Sequence, residues 1–344
     1  MNKLVVISIF LLVIFFIVIL SMIVIPVKRE NPVNGLDFNV LDTPPLGDVG
    51  SIDSQYFARD GKALFYRHVK GSHDLIFVLL HGSGTEGRYL LPLATQLNQQ
   101  LRATVVIPDL RGHGRSMLSH PGDIDYIGQY EHDLADLHHR LEKQYPDATI
   151  ILAGHSSGGG LAVKYAGHAL IPKDDDVMKD KAQYLQAPFD AYVLLAPYLG
   201  HDAPTVRPNS GGWVQVSIRR IIGLSLLNQL GIRQFNHLPI LFFNRPEAVN
   251  DSLQLDSYSY RLNVSFSPTD YQAQLQHNLN PVLLLVGEED EAFYAEKFPD
   301  VMQAHAPQAE VYLLPKVQHL NLPDAPEVIE KIAHWLSMNV LSQQ

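Results

Sequence analysis

One stretch, Thr149 to Gly160 (TIILAGHSSGGG), limits what this chain can fold into more than any other. The apolar, β-branched run Thr149–Ala153 reads as a buried strand, and it feeds directly into Gly154-His155-Ser156-Ser157-Gly158. A helical pattern then continues from Gly159 to Leu170. G-x-S-x-G between a strand and a helix puts the serine on a sharp turn. The chain closes on itself there, so the residues two before and two after Ser156 must be small, and Gly154 and Gly158 meet that need. The first-turn N–H groups of the helix point at the serine, where negative charge can develop. The plainer reading is a glycine-rich turn without chemistry. The bare five-residue pattern leaves that reading open; the strand before it and the helix after it argue against it.

The rest of the chain alternates in the same way. Gln55–Lys70 carries two short aromatic and apolar runs around Asp60-Gly61, a hairpin signal. Leu75–Leu80, Thr104–Pro108, Ala191–Ala196, Val282–Val286 and Val311–Pro315 read as strands. Helices are expected at Tyr89–Leu101, at Tyr126–Tyr145, from about Ala292, and at Pro326–Val340. In the second of these, Ile127, Tyr130, Leu134, Leu137 and Leu141 fall on one face. Apolar strands alternating with helices predict an α/β fold, a mainly parallel sheet covered by helices on both faces. The interval between Pro197 and Pro281 shows no clear strand and is too long for a plain loop. It predicts an inserted helical cap at about 198–280. Its amphipathic run Val214–Leu230 has more apolar residues than one packed face needs, so some of them, Ile222 and Leu227 among the candidates, are expected to line a cleft. Lys173–Pro188 reads as a charged surface loop. Asn250-Asp251-Ser252 and Asn263-Val264-Ser265 match the glycosylation pattern.

Leu4–Ile25 is apolar except for Ser8 and Ser21. As a helix it would be about 33 Å long, enough for a bilayer core of about 30 Å. A cleaved signal peptide has a shorter apolar region and a small-residue cleavage site, whereas this run exits through Ile25-Pro26-Val27-Lys28-Arg29. The expectation is an N-terminal transmembrane anchor over 1–29, a Pro-, Gly- and Asp-rich tether over 30–54 that separates it from the domain, and one domain over 55–344. Lys3 with the amino terminus on one flank nearly balances Lys28 with Arg29 on the other, so the side of the membrane stays open. A net charge of −10 argues against a nucleic-acid partner. With no cysteine, the chain has no disulfide, thiolate nucleophile or cysteine-ligated metal. No H-E-x-x-H or similarly spaced set calls for a metal, and no cofactor is expected. The oligomeric state stays open.

A serine nucleophile needs a base, a carboxylate to orient that base, and donors for the oxyanion. Each has candidates at strand ends. His81-Gly82-Ser83-Gly84 ends a strand; its glycines Gly82 and Gly84 allow close approach, and the N–H groups of Ser83 and Ser157 are the expected oxyanion donors. Gly287-Glu288-Glu289-Asp290 follows a later strand and offers Asp290, with Glu288 and Glu289 as neighbours that could be mistaken for it. His319 lies after the last strand and is the candidate base. The order Ser156, Asp290, His319 is the Ser…Asp…His order that accompanies an elbow of this kind. His81, His113 and His155 sit in glycine-rich turns and read as loop-holding residues.

Taken together, GHSSGG, HGSG and PDLRGHGRS (Pro108–Ser116) resemble the α/β-hydrolase superfamily. PDLRGHGRS, the long cap and VGEEDEAF (Val286–Phe293) resemble its lysophospholipase and monoacylglycerol-lipase-like branch, often grouped with serine aminopeptidases. The resemblance runs from about Gln55 to Val340. It implies Ser156, Asp290 and His319 as a catalytic triad, with Asp109 in a loop-holding role. The expected function is a membrane-anchored serine hydrolase of carboxylic esters, with a lipid-like substrate such as a monoacylglycerol or lysophospholipid. The alternatives are a serine aminopeptidase of the same fold and a catalytically silent membrane-bound binding protein.

Overall fold

The computed structural model describes residues 3–28, 35–37, 50–117, 120–168, 189–244, 253–278 and 280–343. The charged loop expected at Lys173–Pro188, the Asn250 pattern and most of the tether lie outside the described residues. The chain begins with α1 (Lys3–Val24), followed by the hairpin β1 (Ile52–Phe57) and β2 (Ala63–Val69). Next come β3 (Leu75–Leu80), α2 (Leu91–Leu101), β4 (Thr104–Pro108), α3 (Gln129–Gln144), β5 (Thr149–His155), α4 (Ser157–His168) and β6 (Ala191–Leu195). The inserted interval holds β7 (Val214–Val216), α5 (Ile218–Gln229), β8 (Pro239–Phe243), β9 (Ser257–Ser259), α6 (Tyr260–Phe266) and α7 (Tyr271–His277). The chain then returns to the main layer with β10 (Val282–Gly287), α8 (Phe298–His305), β11 (Glu310–Leu314) and α9 (Pro326–Asn339).

Among the described residues eight strands form one sheet in the order β1-β2-β4-β3-β5-β6-β10-β11. From β4 to β11 every pairing is parallel, while β2 runs antiparallel to both β1 and β4. β3, β4, β5, β6 and β10 are buried along their whole length, which is why they read as near-continuous apolar runs. β5 is central, so the elbow at its carboxyl end lies in the middle of the sheet edge, where open α/β sheets bind ligands.

Some boundaries differ from the sequence expectation for identifiable reasons. α3 starts at Gln129, because Gly128 before it is left-handed (φ 97°), and Ile127 is left exposed outside the helix. The helix expected from Ala292 begins only at Phe298. Phe293 bridges to Val206, and the Tyr294 N–H donates to the Thr205 carbonyl, so these residues are held extended. The inserted interval carries helices, as expected, and also an antiparallel sheet in the order β7-β8-β9 that the sequence did not reveal. Its outer strands are three residues each, too short to show a period. The second glycosylation pattern falls within α6, where Ser265 is buried and its hydroxyl accepts from the Gly128 N–H.

The tether does not hold α1 apart from the domain. Ile19 and Ile23 of α1 are buried with Leu224 and Leu227 of α5, Ile240 of β8 and Tyr260 of α6, in a cluster separate from the main core. Gly223 permits this approach, since a Cβ there would lie 2.8 Å from Ile23 Cγ2. Within the tether itself, Leu36 is buried in the main core, and the Asp37 N–H donates to Glu291 Oε1 at 3.2 Å.

Candidate active site

The elbow is built as its local sequence demands. Ser156 sits at φ 55° between β5 and α4, a left-handed conformation that costs a non-glycine residue about 1–3 kcal/mol. The surrounding backbone holds it there. Its N–H donates to the Leu195 carbonyl at 2.9 Å, and its carbonyl accepts from the N–H groups of Tyr198 (2.9 Å) and Gly160 (3.1 Å). A Cβ on Gly154 would lie 2.3 Å from the Gly158 carbonyl oxygen. A Cβ on Gly158 would lie 2.5 Å from the Leu80 oxygen and 2.6 Å from that of His81. Both positions therefore exclude any side chain.

The structure brings Ser156, His319 and Asp290 into one chain of hydrogen bonds. His319 Nε2 lies 3.0 Å from Ser156 Oγ, and His319 Nδ1 lies 2.7 Å from Asp290 Oδ2. Facing a carboxylate, Nδ1 carries the proton, which leaves the Nε2 lone pair toward the serine hydroxyl. The second oxygen of Asp290 accepts from the N–H groups of Ala292 and Phe293, both at 2.8 Å. Its two oxygens therefore have different and fixed duties. Glu288 and Glu289 are exposed, whereas Asp290 and His319 are buried. Glu291, which the sequence reading passed over, is also engaged: its Oε2 accepts from the His319 N–H at 2.9 Å.

A second polar chain, also unforeseen, joins the Gly82 loop to the histidine. The Gly82 N–H donates to Tyr89 Oη at 2.8 Å, and Tyr89 Oη lies 2.8 Å from His155 Nδ1. His155 Nε2 lies 3.0 Å from the His319 carbonyl oxygen. Directions follow from that end. A carbonyl only accepts, so Nε2 carries the proton, Nδ1 accepts, and the phenol donates. Burial and the neighbouring His319 hold His155 well below the ordinary imidazole range, so it stays neutral. The other two loop histidines are buried as well. His81 Nε2 accepts from the Leu110 N–H at 3.0 Å, and His113 Nε2 bonds the Tyr258 hydroxyl. Asp109 binds Arg67 at 2.6 Å and the N–H groups of Gly87 and Arg115, which ties its turn to neighbouring chain.

Around the expected oxyanion donors, the flanking N–H groups are occupied. Gly82 donates to Tyr89 and Gly84 donates to Tyr258 Oη at 2.6 Å. Among the described residues, no acceptor engages the N–H of Ser83 or of Ser157. Ser157 opens α4, whose first-turn N–H groups have no intrahelical partner. Ser83 Oγ accepts from the Trp213 indole N–H at 3.2 Å. Trp213, Phe243 and Tyr258 pack in series, the first pair tilted with centroids 5.1 Å apart and the second edge-on at 4.8 Å, and form an aromatic roof against Gly84.

The roof comes from the small sheet and the residue just before it. α5 does not line the site, contrary to the expectation for Ile222 and Leu227. Leu227 is buried against α1, and Ile222 points to the surface. The apolar surplus of this helix is taken up by α1 and by exposure. Among the described residues, no group of three or more His, Asp or Glu side chains is arranged to hold a metal ion. Tyr89, Tyr258, Glu291 and Trp213 had no local signal in the sequence, because each acts through a partner distant along the chain.

The model of the family described as "Alpha/beta hydrolase family" matches residues 77–332. Human "Protein phosphatase methylesterase 1" is 31% identical over 114 residues, which is 33% of this chain and 28% of that protein. The match thus spans little more than a quarter of that relative. Among solved structures, a thermostable carboxyl esterase from Bacillus coagulans aligns with TM-score 0.59 at 16% identity, covering 85% of this chain and 99% of its own. A monoacylglycerol lipase from Paleococcus ferrophilus aligns with TM-score 0.54 at 19% identity, covering 80% of this chain and 99% of its own. At these identities the structural likeness speaks to the fold.

Proposed function

Because the chain belongs to the alpha/beta hydrolase family, we propose that it is a membrane-anchored serine hydrolase of carboxylic esters. In this reading Ser156 is the nucleophile, His319 the general base and Asp290 the acid that orients it. The observation that carries the proposal is the relay from Ser156 Oγ to His319 at 3.0 Å and from His319 to Asp290 at 2.7 Å, built on a serine at φ 55°.

Ser156 Oγ attacks the ester carbonyl carbon, and its proton passes to His319 Nε2. Asp290 stabilises the imidazolium and keeps the proton on Nδ1. The oxyanion accepts from the N–H groups of Ser83 and Ser157, each contributing about 2.7–4 kcal/mol to the transition state. The C–O bond breaks, and the leaving alcohol takes the proton from His319. Water then attacks the acyl-serine while His319 accepts its proton. The carboxylic acid leaves and the Ser156 hydroxyl is restored.

Residues 1–29 are the anchor in this reading, 30–54 the tether and 55–344 the hydrolase domain. α1 is long and apolar enough to cross a membrane. That helix and the aromatic roof of Trp213 and Phe243 support a lipid-like ester, such as a monoacylglycerol or lysophospholipid. The carboxylates nearest His319, Asp290 and Glu291, are already engaged by N–H groups, which leaves little to hold a peptide's terminal amine. A fluorophosphonate probe tests the proposal: wild type should label and Ser156→Ala should not. Labelling retained in Ser156→Ala, or absent in wild type, would refute the nucleophile. A preference for amino-acid anilides over p-nitrophenyl esters would move the assignment to an aminopeptidase.

A further inference from the structure

α1 and α5 meet at a level that has a consequence for where the cap lies. α5 and its neighbours pack on α1 from Phe16 onward, with Gly223 against Met22 and Ile23. Ahead of that contact, Lys3–Phe15 spans only about 20 Å at about 1.5 Å per residue. A bilayer hydrocarbon core is about 30 Å thick. If α5 rested wholly in water, the free part of α1 would be about 10 Å too short. At the end of α1 and just after it, apolar side chains remain exposed at the level of the contact: Val24 is 69% exposed and Ile25 48%. Apolar surroundings that covered them would reach the level of α5.

α5 has a face suited to those surroundings. Ile218, Ile222 and, just past the helix end, Leu230 face outward, while Leu226 between them packs on the cluster shared with α1. Ile218 is 67% exposed, Ile222 46% and Leu230 53%. Cationic groups lie at the same end of α1. Arg219 donates to the Ile25 and Pro26 carbonyls at 2.9 and 2.6 Å, and Arg220 donates to the Ile23 carbonyl at 2.9 Å. These bonds fix the last turn of α1 to the cap. Lys28 is exposed just beyond them, a position suited to an anionic headgroup.

We infer that α5 lies in the membrane interface, with Ile218 and Ile222 in the acyl boundary of the leaflet that α1 leaves. This rests on the reading of α1 as a membrane anchor and adds the cap as a second point of contact. The shortfall of about 10 Å lies at the deep end of the range of about 5–10 Å at which interfacial helices sit. Trp213, in the roof of the site, is separated from Ile218 by a short stretch of chain that reaches at most about 18 Å. The roof of the site therefore lies within about 18 Å of the leaflet-facing end of α5.

The chain has no cysteine, so single labels can be placed in the full-length protein. Nitroxides would be attached to Ile218→Cys and Ile222→Cys, to Val13→Cys in α1, and to Met338→Cys, which is exposed on α9. In phosphatidylcholine–phosphatidylglycerol vesicles, relaxation by oxygen and by a nickel chelate reads the depth of each label. The expected result is a deep label at Val13→Cys, an aqueous one at Met338→Cys, and labels at Ile218→Cys and Ile222→Cys about 5–10 Å into the leaflet. If those two read like Met338→Cys while Val13→Cys stays in lipid, the interfacial placement is overturned and the anchor stands. If Val13→Cys is itself aqueous, the anchor reading falls and this inference with it.

Discussion

Replacing Asp290 by asparagine is a more demanding test here than in a site where the carboxylate is free to turn. Oδ1 accepts two backbone N–H bonds, from Ala292 and Phe293 at 2.8 Å each, and Oδ2 accepts from His319 Nδ1 at 2.7 Å. An amide has one oxygen and one NH2 group. Turning the NH2 toward Ala292 and Phe293 would set donors against two donors, so the oxygen must stay there and the NH2 must face His319. That NH2 can only donate to Nδ1, which forces the proton onto Nε2. An Nε2–H cannot accept the Ser156 proton. A wrong-tautomer histidine costs about 10,000-fold in kcat, or about 5.4 kcal/mol of barrier. The two loop bonds survive, so thermal stability should stay close to wild type. The assay is kcat on p-nitrophenyl butyrate together with a thermal melt. Asp290→Ala should differ, losing activity and also stability, because it strips the acceptor from both N–H groups. Glu288→Gln and Glu289→Gln, both at exposed positions, should leave kcat within a few-fold. If Asp290→Asn keeps more than about a tenth of wild-type turnover, or if either glutamine variant is the inactive one, the argument fails.

Tyr89→Phe removes the hydroxyl between Gly82 and His155, orphaning a donor and an acceptor at about 1–3 kcal/mol each; a melting midpoint and kcat both unchanged would show that the phenol does not support the site. Gly158→Ala puts a methyl group against the Leu80 and His81 carbonyls; it should cost about 1–3 kcal/mol in urea unfolding and lower kcat at least about tenfold, because the chain it displaces leads into Ser83. Arg261 on α6 ties the inserted interval to Asp123, Nε to Oδ1 at 2.7 Å. Burial works against the Asp123 carboxylate, but hydrogen bonds from Arg261 and Ser259 outweigh it and lower its pKa below 3.8. The pair's stabilisation is therefore full above that ordinary value and is lost as pH falls through the lowered one. Arg261→Gln should be about 1.5–3 kcal/mol less stable at neutral pH, and melts at falling pH should show the gap closing; a gap that widens in acid would reverse the sign of the argument.

The strands of the main sheet and the elbow were legible in the sequence because their requirements are local. A strand buried on both faces must be apolar throughout, as Leu75–Leu80 and Val282–Val286 are. A turn that brings Gly154 within contact of Gly158 excludes every other residue at either position. The hairpin at Asp60-Gly61 and the histidine after the last strand follow from equally short stretches. Tertiary structure decided what depends on partners far along the chain. Which of four successive acids meets His319 was set by the turn after β10, where the backbone N–H groups of Ala292 and Phe293 capture one oxygen of Asp290. Glu291 acquired its place on the His319 N–H by the same turn, and Tyr89 its place only once β3 and β5 lay side by side. The amphipathic pattern of α5 was equally plain in sequence, but a helix's apolar stripe says only that it will be covered. α1, some two hundred residues earlier, covers it where a cleft was expected, because Gly223 and the bonds from the Arg220 guanidinium to the Ile23 and Ile25 carbonyls let the two helices close together.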